Sequence, residues 1–191
     1  MLGRPGRTKQ LKAMKHLSLI VLLITITTDI FSQKYSIEKS FVSFYSHAAI
    51  EDITADNKKV SSIFNATTGD IVFSIPVNEF QFKKSLMQEH FNEKYMESDK
   101  FPKATFQGKV MNFDVNAKGQ QQAKAVGKLT IHGVTNDVEI PGTFEKLDNK
   151  LSMKAKFMVK LVDYKITIPQ LLWQNIAEQV EVTADFSYKP Q

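Results

Sequence analysis

The most constraining feature of this sequence is an alternation of apolar and polar residues with a period of two. It is clearest in residues 180–187, where one face carries Val180, Val182, Ala184 and Phe186 and the other carries Glu181, Thr183, Asp185 and Ser187. Residues 69–77 and 151–160 alternate in the same way. Successive side chains of a strand point to opposite faces of the sheet. The pattern therefore predicts an all-β chain of antiparallel strands with one buried face.

Short turn-forming segments separate the alternating runs, for example Thr67–Asp70, Asn116–Gly119 and Leu147–Lys150. Counting between them predicts eight strands, near 35–46, 58–65, 69–78, 104–113, 122–131, 137–146, 151–162 and 178–188. Eight hairpin-connected strands with one apolar face form either a closed barrel or a two-sheet sandwich, and periodicity does not choose between them. A barrel of eight strands can enclose one small ligand.

One segment departs from the alternation. Within Lys83–Met96, the residues Met87, Phe91 and Tyr95 recur at every fourth position. This spacing is typical of an amphipathic helix, here of about three turns. We expect one such helix, inserted between the third and fourth predicted strands and lying across a sheet edge or a barrel end.

The first 33 residues read as a separate segment. From Met14, a short basic start leads into an apolar run of about ten residues, which is too short to span a bilayer and has the length and flanks of a signal peptide. Residues 1–13 are either an extended basic leader or lie upstream of the true start at Met14, and we favour the second reading. The predicted division is 1–33 for the upstream segment and signal peptide, and 34–191 for one exported domain, periplasmic or secreted.

The charge of that domain argues against a nucleic-acid partner. The full chain has 25 Lys and Arg against 20 Asp and Glu, a net charge of +5. Residues 1–33 hold five of the basic residues and one of the acidic ones, so residues 34–191 carry 20 against 19, a net charge of +1. A nearly neutral domain has no electrostatic reason to bind nucleic acid or an anionic membrane surface.

No residue pattern indicates catalysis or metal binding. Cysteine is absent, and the histidines of the mature part, His47, His90 and His132, lie about 40 residues apart. A metal site needs three or four converging ligands, usually with some close spacing. We expect surface or packing histidines, with His132 and Gly133 forming a tight turn in which glycine supplies a positive φ. The sequence thus predicts no catalytic residue, no metal site and no cofactor.

Two longer segments make the sequence recognisable. Leu86–Phe106 contains Ser-Asp-Lys-Phe-Pro followed by Ala-Thr-Phe, and Gly127–Val138 reads Gly-Lys-Leu-Thr-Ile-His-Gly-Val-Thr-Asn-Asp-Val. Together they resemble the two signature segments of the YceI-like family of exported bacterial proteins, over roughly residues 35–188. The resemblance implies an eight-stranded, lipocalin-like antiparallel barrel, whose relatives enclose a polyisoprenoid chain.

The resemblance makes the apolar strand faces a candidate binding site. The side chains expected to point into the barrel and to contact an isoprenoid, quinone-like or other lipid-like ligand are Phe73, Ile75, Phe106, Val110, Leu129, Ile131, Met153, Phe157, Val180, Val182 and Phe186. Met87, Phe91 and Tyr95 would close one end of the barrel. A protein core also needs apolar side chains, so the pattern alone does not distinguish a ligand-filled interior from a self-filled one.

The sequence therefore favours an exported, non-catalytic protein that sequesters or carries an apolar molecule inside a barrel. The alternative is a structural or interaction domain with a self-filled core and no ligand. An outer-membrane barrel is disfavoured by the helical insert and by the non-aromatic C-terminal residue Gln191, so we expect no stable membrane insertion. Both a monomer and a homodimer are compatible with the pattern.

Overall fold

The computed structural model describes residues 33–47, 52–168 and 177–191. The predicted upstream segment and signal peptide lie outside these residues, apart from Gln33. The β-domain belongs to one compact unit, Ser32–Gln191.

The described residues form ten strands and a few short helical segments. The strands are β1 (Lys34–Ser46), β2 (Ile53–Asn57), β3 (Ser61–Asn65), β4 (Asp70–Pro76), β5 (Gln81–Phe82), β6 (Lys103–Met111), β7 (Gly119–Ile131), β8 (Val134–Leu147), β9 (Lys150–Lys160) and β10 (Gln179–Pro190). The helical segments are a 3-10 turn (Val77–Glu79), α1 (Ser85–His90), a π-helical turn (Phe91–Tyr95) and a second 3-10 turn (Leu161–Tyr164).

The strands close into an antiparallel barrel, because β10 pairs with β9 on one side and with β1 on the other. The ten strands occupy eight positions around the barrel. Near its start β1 pairs with β3, and near its end it pairs with β2. The strands β2 and β3 are therefore two halves of one interrupted barrel strand. In the same way β4 pairs with β3, and β5 pairs with β2. The all-β class and the eight-stranded closed barrel predicted from the sequence are confirmed.

Side-chain hydrogen bonds hold the break between β2 and β3. The buried Asn57 donates from Nδ2 to the Pro76 carbonyl at 2.8 Å, and its Oδ1 accepts from the Lys59 amide at 2.8 Å. Ser40 donates from Oγ to the Lys58 carbonyl at 3.0 Å. These bonds replace backbone hydrogen bonds between strands that the interrupted barrel strand cannot form. Buried backbone groups need such partners.

The position of the helix differs from the expectation. We expected it between strands 3 and 4, but α1 follows β5, because the pattern did not resolve the two short strands β2 and β5. Its second half also widens into a π-turn, in which the Met96 amide donates to the Phe91 carbonyl at 2.8 Å. Asn92 donates from Nδ2 to the Gln88 carbonyl at 3.0 Å. Such side-chain bonds compete with regular α-helical bonds.

One end of the barrel is filled by aromatic rings. Phe64, Phe144 and Tyr188 are fully buried there, and the Phe64 ring centroid lies 5.6 to 6.3 Å from those of Phe113, Phe144 and Tyr188. We call Tyr35, Phe64, Phe113, Phe144 and Tyr188 the aromatic plug. The Tyr188 hydroxyl also shares a buried hydrogen bond of 2.7 Å with the Ser62 hydroxyl.

The outer face of the barrel carries charged side chains, as the alternation requires, together with some exposed apolar ones such as Ile63, Val126 and Met158. Ion pairs link neighbouring strands there, at nitrogen–oxygen distances of 2.7 to 3.0 Å: Lys124–Glu139, Lys128–Asp137, Lys154–Asp185 and Lys156–Glu181. Exposed pairs of this kind add little stability, since water screens them. Their placement shows which side of β7, β8, β9 and β10 faces solvent.

Candidate ligand chamber

The barrel interior opposite the aromatic plug is hollow. A cavity of about 400 Å³, here called the chamber, lies between the middle of the barrel and α1. Apolar side chains of β1, β4, β7, β9 and β10 form its wall, and α1 and the π-turn cover the helix end. The alternation builds this wall, since every second residue of each strand points inwards.

The predicted interior residues all border a cavity, although they do not share a single one. Those that line the chamber are Ile75, Leu129, Ile131, Phe157, Val180 and Val182. Phe73, Phe106, Val110, Met153 and Phe186 line a second cavity of about 100 Å³, which lies between the chamber and the aromatic plug. We call it the lower void. Whether these side chains contact a ligand stays a prediction.

The lower void lies against a row of small residues. Ala123, Gly142, Ala155 and Ala184 are paired one after another across β7, β8, β9 and β10. All four line the void. Four neighbouring strands thus present almost no side chain at this level, and the space they leave is only partly filled from the opposite wall.

The helix residues border the chamber, and their closure of one barrel end stays a prediction. Met87, Phe91 and Tyr95 all line the chamber. Phe91 stacks on Phe44 with centroids 5.5 Å apart, and it also contacts Phe82 at 5.0 Å. The helix end therefore has its own aromatic cluster, but its rings line the wall and cover of the chamber instead of filling it.

Several chamber residues were missed in the sequence analysis. Val42, Phe44 and Ser46 on β1 line the chamber, and so do Phe80 and Phe82 near β5. The period-two spacing of Val42, Phe44 and Ser46 could have identified the first three. The other two carried no usable signal, because β5 has only two residues and follows a 3-10 turn.

Within the described part of the chain, few polar side chains reach the chamber. They are Ser46, His90 and Tyr95. Ser46 is buried and its Oγ accepts a hydrogen bond of 3.1 Å from the Ala177 amide. Burial raises the pKa of Tyr95, which keeps its phenol neutral. The described residues of the chamber can therefore bury an apolar molecule and offer hydrogen bonds to a small polar group.

The two signature segments meet outside the chamber. The His132 ring lies against Phe101 with centroids 4.5 Å apart, and its Nε2 is 3.1 Å from Glu97 Oε2. Its Nδ1 is 3.2 Å from the Tyr164 carbonyl. Gly133 has the predicted positive φ of 73°, and a Cβ there would lie 2.5 Å from the Phe101 ring. These contacts attach the segment after the π-turn to the β7–β8 hairpin, which is a structural role.

The Glu97 carboxylate at this junction accepts hydrogen bonds from two neighbouring side chains. Hydrogen bonds from Lys100 and His132 lower the pKa of the Glu97 carboxyl. His47, the third histidine, lies at the rim, where its Nδ1 is 2.8 Å from Asp52 Oδ1 and the Tyr45 hydroxyl donates to Asp52 Oδ2 at 2.7 Å. The three histidines thus occupy different surroundings.

The metal and membrane findings concern only the residues that the structure describes. Among them, no three or more of the potential ligand side chains cluster closely enough to hold a metal ion. Within residues 33–47, 52–168 and 177–191, no helix combines the length and apolarity that crossing a bilayer requires.

Solved structures with the same fold are similar to the chain at low sequence identity. A polyisoprenoid binding domain from Saccharophagus degradans, implicated in plant cell wall breakdown, is 18% identical with a TM-score of 0.71, over 82% of this chain and 98% of the other. BcnA from Burkholderia cenocepacia is 18% identical with a TM-score of 0.66, over 78% and 95%. The YCEI protein of Campylobacter jejuni is 16% identical with a TM-score of 0.60, over 76% and 88%.

No curated protein gives a significant match to the sequence. The family model described as the YceI-like domain does match, over residues 34–188. That range includes every strand of the barrel except the end of β10, together with both segments that meet at His132. The chain belongs to the YceI-like domain family.

Proposed function

We propose that this protein is an exported, non-catalytic binding protein that sequesters or carries an apolar, isoprenoid-like or other lipid-like molecule in the chamber. The observation that carries the proposal is the chamber itself, about 400 Å³ of space with an almost entirely apolar wall. Small-molecule sites typically measure roughly 300–1,000 Å³ and combine apolar walls with a few polar groups. The similar domain from Saccharophagus degradans, which binds polyisoprenoid, supports the same ligand class.

The physical driving force is burial of apolar surface. Transfer of such surface from water contributes about 25 cal/mol per Å², without any need for directional contacts. A chamber that stays empty would expose its wall to poorly accommodated water or to vacuum, and its lining would lose dispersion contacts. A domain with a self-filled core gives no reason to keep such a space, so the chamber favours the binding role over the structural alternative.

Export rests on the sequence of residues 14–33. The apolar run after Met14 has signal-peptide length, and cleavage would follow Ser32 or Gln33, immediately before β1. A gene that starts at Met14 should yield protein in the periplasm or medium that lacks residues 14–32 or 14–33. N-terminal sequencing of the recovered protein measures the cut, and retention of uncleaved protein in the cytoplasm would refute export.

Extraction of bound molecules tests the ligand. Protein purified from its own host should release a hydrophobic molecule into organic solvent, detectable by mass spectrometry in near-stoichiometric amount. The variant Val182→Phe, which adds volume inside the chamber, should release much less. Thr183→Val, on the outer face of the same strand, serves as the control. A wild-type protein that yields only buffer components would contradict the proposal.

A further inference from the structure

We propose that Phe157 limits how deeply a ligand enters, so that affinity rises with the length of an apolar chain up to roughly 15 carbons and gains little from further carbons. This inference rests on the proposed function and specifies its substrate class. It concerns the boundary between the chamber and the lower void, which the proposed function does not use.

The boundary consists of side chains that line both cavities. Five residues do so, and we call them the waist: Val42, Ile75, Leu129, Phe157 and Val182. They come from β1, β4, β7, β9 and β10, so they surround the barrel axis. Phe157 is the largest of the five. Among the five, Phe157 is therefore the residue whose truncation to alanine would free the most space at the boundary.

Beyond the waist lies the lower void, whose wall contains several aromatic side chains. Phe73, Phe106 and Phe186 line it, and Phe73 lies 5.0 Å from Phe186 and 5.5 Å from Phe106 between ring centroids. Phe144 of the aromatic plug closes it below. A chain that occupies the chamber thus meets the waist on the side of the plug, and beyond the waist it can extend at most into the lower void, as far as the fully buried plug residue Phe144.

The volumes of the two cavities set the length of the chain that can be bound. An apolar cavity of about 150 Å³ accommodates one benzene ring, which corresponds to roughly 25 Å³ per carbon. By that measure the chamber of about 400 Å³ holds roughly 15 carbons, or three isoprene units. The lower void of about 100 Å³ would add roughly four carbons, close to one further unit, if the waist were open.

A partition at this depth has a consequence for affinity. Every isoprene unit that fits inside the chamber removes apolar surface from water, and at about 0.3 kcal/mol per atom a unit of five carbons strengthens binding roughly tenfold. A fourth unit finds the chamber full and stays outside it, partly in water. The gain per unit should therefore fall abruptly after the third.

A series of all-trans prenyl alcohols tests the proposal. Geraniol, farnesol and geranylgeraniol, with 10, 15 and 20 carbons, compete with an environment-sensitive dye for delipidated protein. For the wild type, affinity should rise roughly tenfold from 10 to 15 carbons and by less than about threefold from 15 to 20. In Phe157→Ala, which joins the two cavities, the second step should also approach tenfold. Met158→Ala, whose side chain is exposed on the same strand, should behave as the wild type.

Two further variants guard against misfolding. Phe157→Leu removes less volume and should show the same change at smaller amplitude, and circular dichroism checks that each variant is folded. Ala184→Leu in the Phe157→Ala background refills the lower void and should abolish the extra gain. A wild-type affinity that rises equally at both steps, or a folded Phe157→Ala that keeps the wild-type profile, would overturn the length limit while leaving binding intact. If no alcohol binds the wild type, the proposed function itself fails, and the length limit with it.

Discussion

The two ends of this barrel are built from the same kind of side chain and yet have opposite properties. At the plugged end, Phe64 contacts Phe113, Phe144 and Tyr188, and no space of ligand size separates the rings. At the helix end, Phe44 and Phe91 stack on each other at the edge of a chamber of about 400 Å³. Aromatic content therefore does not determine whether a barrel end is filled or hollow.

The difference lies in what the rings pack against. In the plug, rings come from strands on several sides and meet near the axis. At the helix end, α1 and the π-turn bring Phe91 against the ring of Phe44 and against Phe80 and Phe82. The aromatic rings at the rim thus pack against Phe91, and the space around the barrel axis below them stays unfilled. The comparison separates a stabilising end from a binding end, and the following experiments test that separation.

The largest expected effect concerns core stability. Phe64→Ala should cost about 3–5 kcal/mol of the free energy of unfolding, because Phe64 is fully buried and its removal leaves a cavity. Phe44→Ala should cost only about 1–2 kcal/mol, since Phe44 already borders empty space. Urea denaturation measures both values. Equal losses at the two positions would show that the ends do not differ in packing.

The next effect is stabilisation by ligand. Farnesol at 100 times its dissociation constant should stabilise the wild type by about 2.7 kcal/mol, because it binds only the folded state. Val182→Phe should lose most of this stabilisation, since the added ring occupies the chamber. The measurement is thermal or urea unfolding with and without farnesol, with Thr183→Val as the matched control. Full stabilisation of Val182→Phe would place the ligand elsewhere.

A smaller effect concerns how stability depends on pH through a residue of the plugged end. Burial raises the pKa of Tyr188 in the plug, opposed by its hydrogen bond to Ser62. The folded state therefore keeps the phenol neutral while the unfolded state ionises near its ordinary pKa of about 10. The contribution of Tyr188 to the free energy of unfolding is fully present below pH 10. Above pH 10 it should fall by about 1.4 kcal/mol per pH unit.

The variant Tyr188→Phe checks this assignment. It should cost about 1–2 kcal/mol at pH 7, because the buried Ser62 hydroxyl loses its partner. It should also show a weaker decline of stability above pH 10 than the wild type. Identical alkaline slopes for the two proteins would exclude Tyr188 as the source.

The smallest effect belongs to the junction at the helix end. Because hydrogen bonds from Lys100 and His132 lower the pKa of Glu97, its carboxylate stabilises the fold above its unperturbed pKa of 4.5, and this contribution is lost as pH falls through the lower folded value. Glu97→Gln should be modestly less stable than the wild type at pH 7 and nearly equal to it near pH 3. Chemical denaturation at both values measures the difference, with the exposed Glu93→Gln as the control. A difference that persists at pH 3 would contradict an electrostatic role.

Particular residues show how far sequence reasoning could go. The alternation in 180–187 indicated which side of β10 borders the two cavities and which side carries ion pairs, because strand geometry directly converts spacing into direction. The same rule failed for β5, whose two residues are too few to show a period, and the helix therefore follows a strand that the pattern did not resolve. Nor could spacing reveal that His132 lies 3.1 Å from Glu97, 35 residues earlier in the chain, because that contact depends on how the β7–β8 hairpin meets the segment after the π-turn.

The amino-acid sequence by itself determined the antiparallel strands, their apolar faces and, through its two signature segments, the family, since each depends on local spacing or on ordered motifs. The tertiary structure alone decided where the interior is filled and where it is hollow. Phe73 and Phe157 occupy equivalent inward positions in the pattern, yet only Phe157 lies between the two cavities. The physical reason is that a void is the space left by side chains from opposite walls, and which residues face each other across a barrel depends on closure and register, not on any single strand.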